Sequence, residues 1–212
     1  MTFVDREREL ATLEGFWHSQ RAECIPVTGR RRVGKTYLLE HFAQNKRAVY
    51  YRCFLTGTAE QLPALGQALA DFSGDSVLIA QPPASWAAVF ALIERLAQES
   101  RLLLVLDEIP YWASRDASLP SVLQNWWDAI GHTLNIMLVL CGSAVQMMES
   151  LLTGAAPLFS ARPNGIRSHS PTRNWSVIWD TCVPWGLSRA LTHTIFYFLG
   201  QVFLMTYSAG PV

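Results

Sequence analysis

The chain has no excess of either charge. Its 212 residues carry seventeen Lys and Arg against seventeen Asp and Glu, and only 16% are charged at all. A basic tail or a strongly cationic face, the electrostatic footprint of a nucleic-acid binder or of a protein held on anionic lipid, is therefore not expected. Cysteine is sparse and scattered: Cys24, Cys53, Cys141 and Cys182 form no Cys-x-x-Cys pair and have no histidine at metal-ligand spacing. That excludes a zinc framework and a disulfide-stapled fold, leaving core thiols in a reducing compartment. A secretory leader is not expected either, because Asp5, Arg6, Glu7, Arg8 and Glu9 stand where a signal peptide needs an apolar stretch. The expected location is the cytoplasm. What is present is apolar surface, at half of all residues, enough for a full buried core.

Composition changes once along the chain. Residues 1–162 hold all but four of the charged residues, leaving Arg167, Arg173, Asp180 and Arg189 for the last 50, which contain no Lys or Glu. Two segments are expected from this shift: an ordered domain over 1–162 and an atypical tail over 163–212. No internal repeat and no low-complexity tract is visible.

Within the first segment, helical and apolar runs alternate. A helix is expected over 5–19, with Leu10, Leu13, Phe16 and Trp17 on one stripe, and a short strand over 24–28. A helix over 37–44, a strand over 48–54 and a helix over 60–72 follow. Trp86, Val89, Phe90, Ile93, Leu96 and Ala97 mark a helix with Ser85 as N-cap. Leu102 to Leu106 and Ile136 to Cys141 are apolar throughout, as strands covered on both faces are. Between them a helix carries Leu123, Trp126, Trp127 and Ile130 and stops at Gly131, and a last helix is expected over 145–152. This order predicts an α/β domain of three layers around a mainly parallel sheet.

Gly29-Arg30-Arg31-Arg32-Val33-Gly34-Lys35-Thr36 satisfies the Walker A pattern directly after a strand and at the opening of a helix, the context that pattern requires. Glycines let the backbone turn its N–H groups toward phosphate, and the helix N-terminus adds a favourable dipole. Lys35 then reaches the β- and γ-phosphates, and the Thr36 hydroxyl ligates Mg²⁺. The strand ending in Asp107-Glu108 has the form of a Walker B element, with Asp107 holding Mg²⁺ and Glu108 polarising the attacking water as general base. ATP is favoured over GTP: Glu108-Ile-Pro110 replaces the x-x-Gly of signalling GTPases, and Asn45-Lys46-Arg47-Ala48 lacks the Asp that reads guanine. ATPases with this extra glutamate insert a strand between the two Walker strands, and residues 48–54 are assigned to that place. Ser143, at the end of the last strand, either senses the γ-phosphate or caps the helix that follows.

Several segments together resemble the archaeal-type ATPases of the AAA-related, STAND-like P-loop class: Phe3 to Leu10, Gly29 to Thr36, Leu104 to Trp112, Leu123 to Asp128, Leu138 to Ser143 with Met147-Met148-Glu149, and Pro157 to Arg162. The resemblance implies that the first segment lies near the adenine base. It also implies a γ-phosphate sensor or finger role for Arg162, on Pro157-Leu-Phe-Ser-Ala-Arg162, an altered form of the family's Pro-Leu-Tyr-Gly-Arg. Family members continue with a fifth core strand and a helical lid, which residues 163–212 do not match. A change of reading frame near codon 162 accounts for such a switch. A membrane anchor is disfavoured, because the apolar run Ile195 to Met205 is shorter than the ~20 residues of a spanning helix. The readings carried forward are Mg²⁺-dependent hydrolysis of ATP, a nucleotide-binding switch with little hydrolysis, and a membrane-attached accessory protein. Self-association is left open.

Overall fold

A computed structural model describes residues 6–144 and 146–148. The chain enters through α1 (Glu7–His18), whose acidic first turn and terminal histidine complement the helix dipole. Then come β1 (Glu23–Thr28), α2 (Lys35–Ala43), β2 (Ala48–Arg52), α3 (Thr58–Ser73), α4 (Ser76–Ala80), α5 (Trp86–Glu99), β3 (Leu102–Asp107), α6 (Ile109–Ala113), α7 (Leu119–Ala129), a single 3₁₀ turn over Gly131–Thr133, and β4 (Ile136–Gly142). Ser85 caps α5 as expected, its hydroxyl accepting the Ala88 amide at 3.3 Å. Asp75 does the same for α4 through the amides of Val77 and Leu78.

All three strand pairings are parallel, in the order β1-β4-β3-β2. Each strand sends alternate side chains to opposite layers. On one face, Ile25, Val27, Leu103, Val105, Met137 and Val139 pack against Leu13 of α1 and Leu38, Leu39 and Phe42 of α2. On the other, Leu102, Leu104, Leu106, Ile136, Leu138 and Leu140 meet the apolar stripes of α3, α5 and α7. The three-layer α/β fold with a parallel sheet is thus as the sequence predicts.

One expectation is corrected. The strand lying between β1, which leads into the Gly29–Thr36 loop, and β3, which ends on Asp107, is β4, and β2 sits outside β3, at the edge of the sheet. The physical reason is visible along each strand: every residue of β3 and β4 is buried, so both need neighbours on two sides, whereas β2 alternates and ends on an exposed arginine. Boundaries move as well. β2 stops at Arg52 rather than Phe54, α2 starts at Lys35 rather than Tyr37, and α7 starts at Leu119 because Pro120 fits the first turn, where no amide partner is needed. The short helices α4 and α6 have no counterpart in the sequence reading. Residues 146–148 are helical, while the rest of the helix expected over 145–152, the boundary at 162 and the tail lie outside the described residues.

Candidate nucleotide site

Parallel strands all end on one edge of the sheet, and the loops that follow β1, β3 and β4 meet there. After Thr28 the chain turns through Gly29 to Gly34 into α2. Gly34 is the N-cap at φ +84°, ψ +21°, a left-handed conformation that glycine adopts without steric cost, and it directs the first amides of α2 toward the loop. Lys35 is almost fully buried, and its ammonium donates to the carbonyls of Gly29 (2.8 Å) and Arg30 (3.0 Å), so the lysine closes the loop on itself. Arg30, Arg31 and Arg32 are exposed, with Arg32 also left-handed at φ +66°. Arg31 donates to the Tyr111 hydroxyl and lies over its ring, tying the loop to α6. Arg6 donates to the Val33 carbonyl and pairs with Glu9 at 3.7 Å, so the start of α1 is anchored on the same loop.

Asp107 ends β3 with no exposure to solvent, and its carboxylate is satisfied on both oxygens. Oδ1 accepts the Glu108 amide at 3.0 Å. Oδ2 accepts the Thr36 hydroxyl and the Tyr50 hydroxyl, each at 2.8 Å, and Arg52 Nε stands 3.8 Å away. The Cys141 thiol is hydrogen-bonded to the same carboxylate; burial and then the charge of Asp107 push its pKa up, so it stays a neutral donor. Burial and Asp107 likewise raise the Tyr50 phenol, and burial, Asp107 and Glu108 raise the Cys53 thiol.

Glu108 follows in the left-handed region, φ +54°, ψ +38°, at the N-cap of α6. Its Oε2 accepts both the amide (3.1 Å) and the hydroxyl (3.0 Å) of Ser143. The end of β4 comes this close to α6 because Gly142 has no side chain: a Cβ there would lie 2.5 Å from Pro110 Cγ and 2.8 Å from Met148 Sδ.

The structure therefore brings together Gly29 to Thr36, Asp107, Glu108 and Ser143. Arg162 lies outside the described residues. Tyr50, Arg52, Cys141 and Tyr111 were not singled out from the sequence. For the first three the only available signal was strand alternation, since Tyr50, Arg52, Asp107 and Cys141 all face the α1–α2 layer.

Comparison with known proteins agrees with this geometry. The model of the ATPase domain found predominantly in Archaea matches residues 3–166. The chain belongs to this family. It is an ATPase domain by class, and ATP is its expected ligand. An uncharacterized protein of Methanocaldococcus jannaschii is 28% identical over 176 residues, covering 81% of this chain but 36% of that protein. An uncharacterized ATP-binding protein of the same organism is 49% identical over 45 residues, 21% of this chain and 76% of that one. Among solved structures, the Walker-type ATPase of Pyrococcus abyssi superposes with a TM-score of 0.61 at 21% identity, covering 74% of this chain and 51% of the other. The Aeropyrum pernix ORC2 protein, in its ADPNP–ADP complexes, gives 0.51 at 20% identity over 68% and 42%. At such identities these two structures speak to the fold alone. The chain spans about a third of the length of the first Methanocaldococcus relative and half of the Pyrococcus ATPase.

Proposed function

We propose that this archaeal-type ATPase domain binds ATP with Mg²⁺ on the Gly29–Thr36 loop and hydrolyses its β,γ bond. The observation that carries the reading is the contact of Thr36 Oγ1 with Asp107 Oδ2 at 2.8 Å, which joins the phosphate loop to the acidic strand end. Mg²⁺ takes oxygen ligands and is commonly held by one or two protein groups together with substrate phosphates and water. A threonine hydroxyl beside a buried carboxylate is a donor set of that kind, so Thr36 and Asp107 would hold the ion. When bound, it would neutralise charge on the phosphoryl oxygens.

The chain's own groups have distinct tasks in this reading. The amides at the start of α2 and the Lys35 ammonium bind the phosphates, with Lys35 exchanging its loop carbonyls for phosphoryl oxygens. Glu108 accepts a proton from the attacking water. Ser143 holds the Glu108 carboxylate through two donors, and this supports a second reading, a nucleotide-dependent switch in which hydrolysis waits until that hold is released.

Replacing Glu108 by Gln tests the chemistry. Under the first reading ATP affinity is retained and turnover falls by roughly 10²- to 10⁴-fold, the usual effect of removing a general base. Equal losses of affinity and turnover would refute the assignment. Intact protein that binds ATP but fails to hydrolyse it even in a single-turnover experiment would favour the switch.

A further inference from the structure

We propose that Tyr50 is a positioning residue for Asp107: by holding Oδ2 beside the Thr36 hydroxyl, its phenol sets the affinity of the site for the divalent cation that accompanies nucleotide. The inference rests on the nucleotide-binding reading above and extends it to an edge strand with no part in either Walker element.

Sheet register puts Tyr50 opposite Val105, two residues before Asp107, so the tyrosine approaches the carboxylate diagonally on the same face. Its ring packs against the α1–α2 core cluster, which fixes the direction in which the hydroxyl points. The hydroxyl then lies 2.8 Å from Oδ2, as close as that of Thr36.

A hydroxyl has one proton to donate and two lone pairs to offer. Thr36 gives its proton to Asp107, which leaves its lone pairs free to face a cation. Tyr50 gives its proton to the same oxygen from the strand side, and Glu108 N–H fixes the other oxygen. Asp107 is wholly buried, and from the same strand Arg52 Nε stands 3.8 Å from this oxygen, too far to replace the Tyr50 hydrogen bond without moving. Groups that orient a metal-binding side chain in this way commonly change metal affinity or activity by 10- to 100-fold when removed.

Tyr50→Phe deletes the hydroxyl and keeps the packed ring. Binding of a fluorescent ADP analogue is measured in chelator and then as Mg²⁺ is titrated in, beside thermal melting of each variant. The control is Tyr51→Phe, which removes the neighbouring hydroxyl on the opposite face, where it bonds Gln61. In Tyr50→Phe the half-saturating Mg²⁺ concentration rises about 10- to 100-fold, while metal-free affinity stays within about threefold. Tyr51→Phe leaves the Mg²⁺ dependence unchanged.

An unshifted Mg²⁺ midpoint in Tyr50→Phe overturns the proposal. So does an equal shift in Tyr51→Phe, which would trace the effect to general loosening of β2. If the unmodified protein binds the analogue neither with nor without Mg²⁺, the nucleotide reading itself falls and takes this one with it. That outcome is distinct, because it appears before any variant is made.

Discussion

Removing the Lys35 side chain is the sharpest perturbation of the phosphate loop, and its size can be worked from the contacts already present. The ammonium makes two hydrogen bonds, to the carbonyls of Gly29 and Arg30, and is shielded from solvent. In the proposed reading, binding ATP exchanges these neutral acceptors for charged phosphoryl oxygens, so the gain is the difference between two sets of bonds rather than the whole strength of either. A hydrogen bond to a charged group contributes about 1.5–3 kcal/mol. Taking the net gain as roughly one such bond, Lys35→Ala should weaken ATP binding about 10- to 150-fold. Titration of a fluorescent ATP analogue reads this directly. The chain offers an internal control, because Lys35 and Lys46 are its only lysines. Lys46 sits beyond the far end of α2, paired with Glu14 at 2.7 Å and lying over the Phe42 ring. Lys46→Ala, at a site away from the loop, should therefore leave ATP affinity within about threefold (~0.7 kcal/mol). In Lys35→Ala an affinity changed by less than about threefold (~0.7 kcal/mol) would refute the reasoning, as would an equal loss in Lys46→Ala.

Two further outcomes concern the scaffold. Gly142→Ala forces a Cβ against the rigid ring of Pro110, so it should lower stability by about 1–3 kcal/mol in urea unfolding. Because Pro110 lies two residues beyond Glu108, ATP turnover should fall more than ATP affinity; an unchanged unfolding midpoint would show that β4 and α6 are not in tight contact. Arg101→Met removes a mostly buried guanidinium that donates to the carbonyls of Phe16 and Arg21 and to Asn135 Oδ1. Part of that loss is offset by no longer burying a charge, leaving about 2–3 kcal/mol and a melting temperature lower by about 4–12 °C. A loss under about 0.5 kcal/mol would mean that water replaces the guanidinium.

The phosphate loop and the acidic strand end were readable because each is a contiguous pattern whose chemistry depends on its own neighbours: Gly34, Lys35 and Thr36 open a helix, and Asp107 and Glu108 end an apolar strand. The order of strands was not readable in the same way. Residues 48–54 met the requirement for an additional strand, and nothing in chain order says on which side of β3 that strand packs. Burial decides it, and Ala48-Val-Tyr-Tyr-Arg52 carried the clue in its alternation and terminal arginine. The Asp107 network was hidden for a related reason. Tyr50, Asp107 and Cys141 belong to three strands, and only their register brings the three side chains to one carboxylate. α6 escaped because Ile-Pro-Tyr-Trp-Ala is too short to show a helical period.

The backbone at Glu108 has a consequence for how this domain could be altered. A side chain in the left-handed region costs about 1–2 kcal/mol that glycine would not incur. Glycine at position 108 would relieve that cost and would also lose the two hydrogen bonds that the Glu108 carboxylate accepts from Ser143. Backbone strain and side-chain hydrogen bonding thus act in opposite directions at a single residue. Because the proposed reading gives the same residue the task of accepting a proton from water, a substitution there would alter the backbone, the Ser143 contact and the proposed chemistry together.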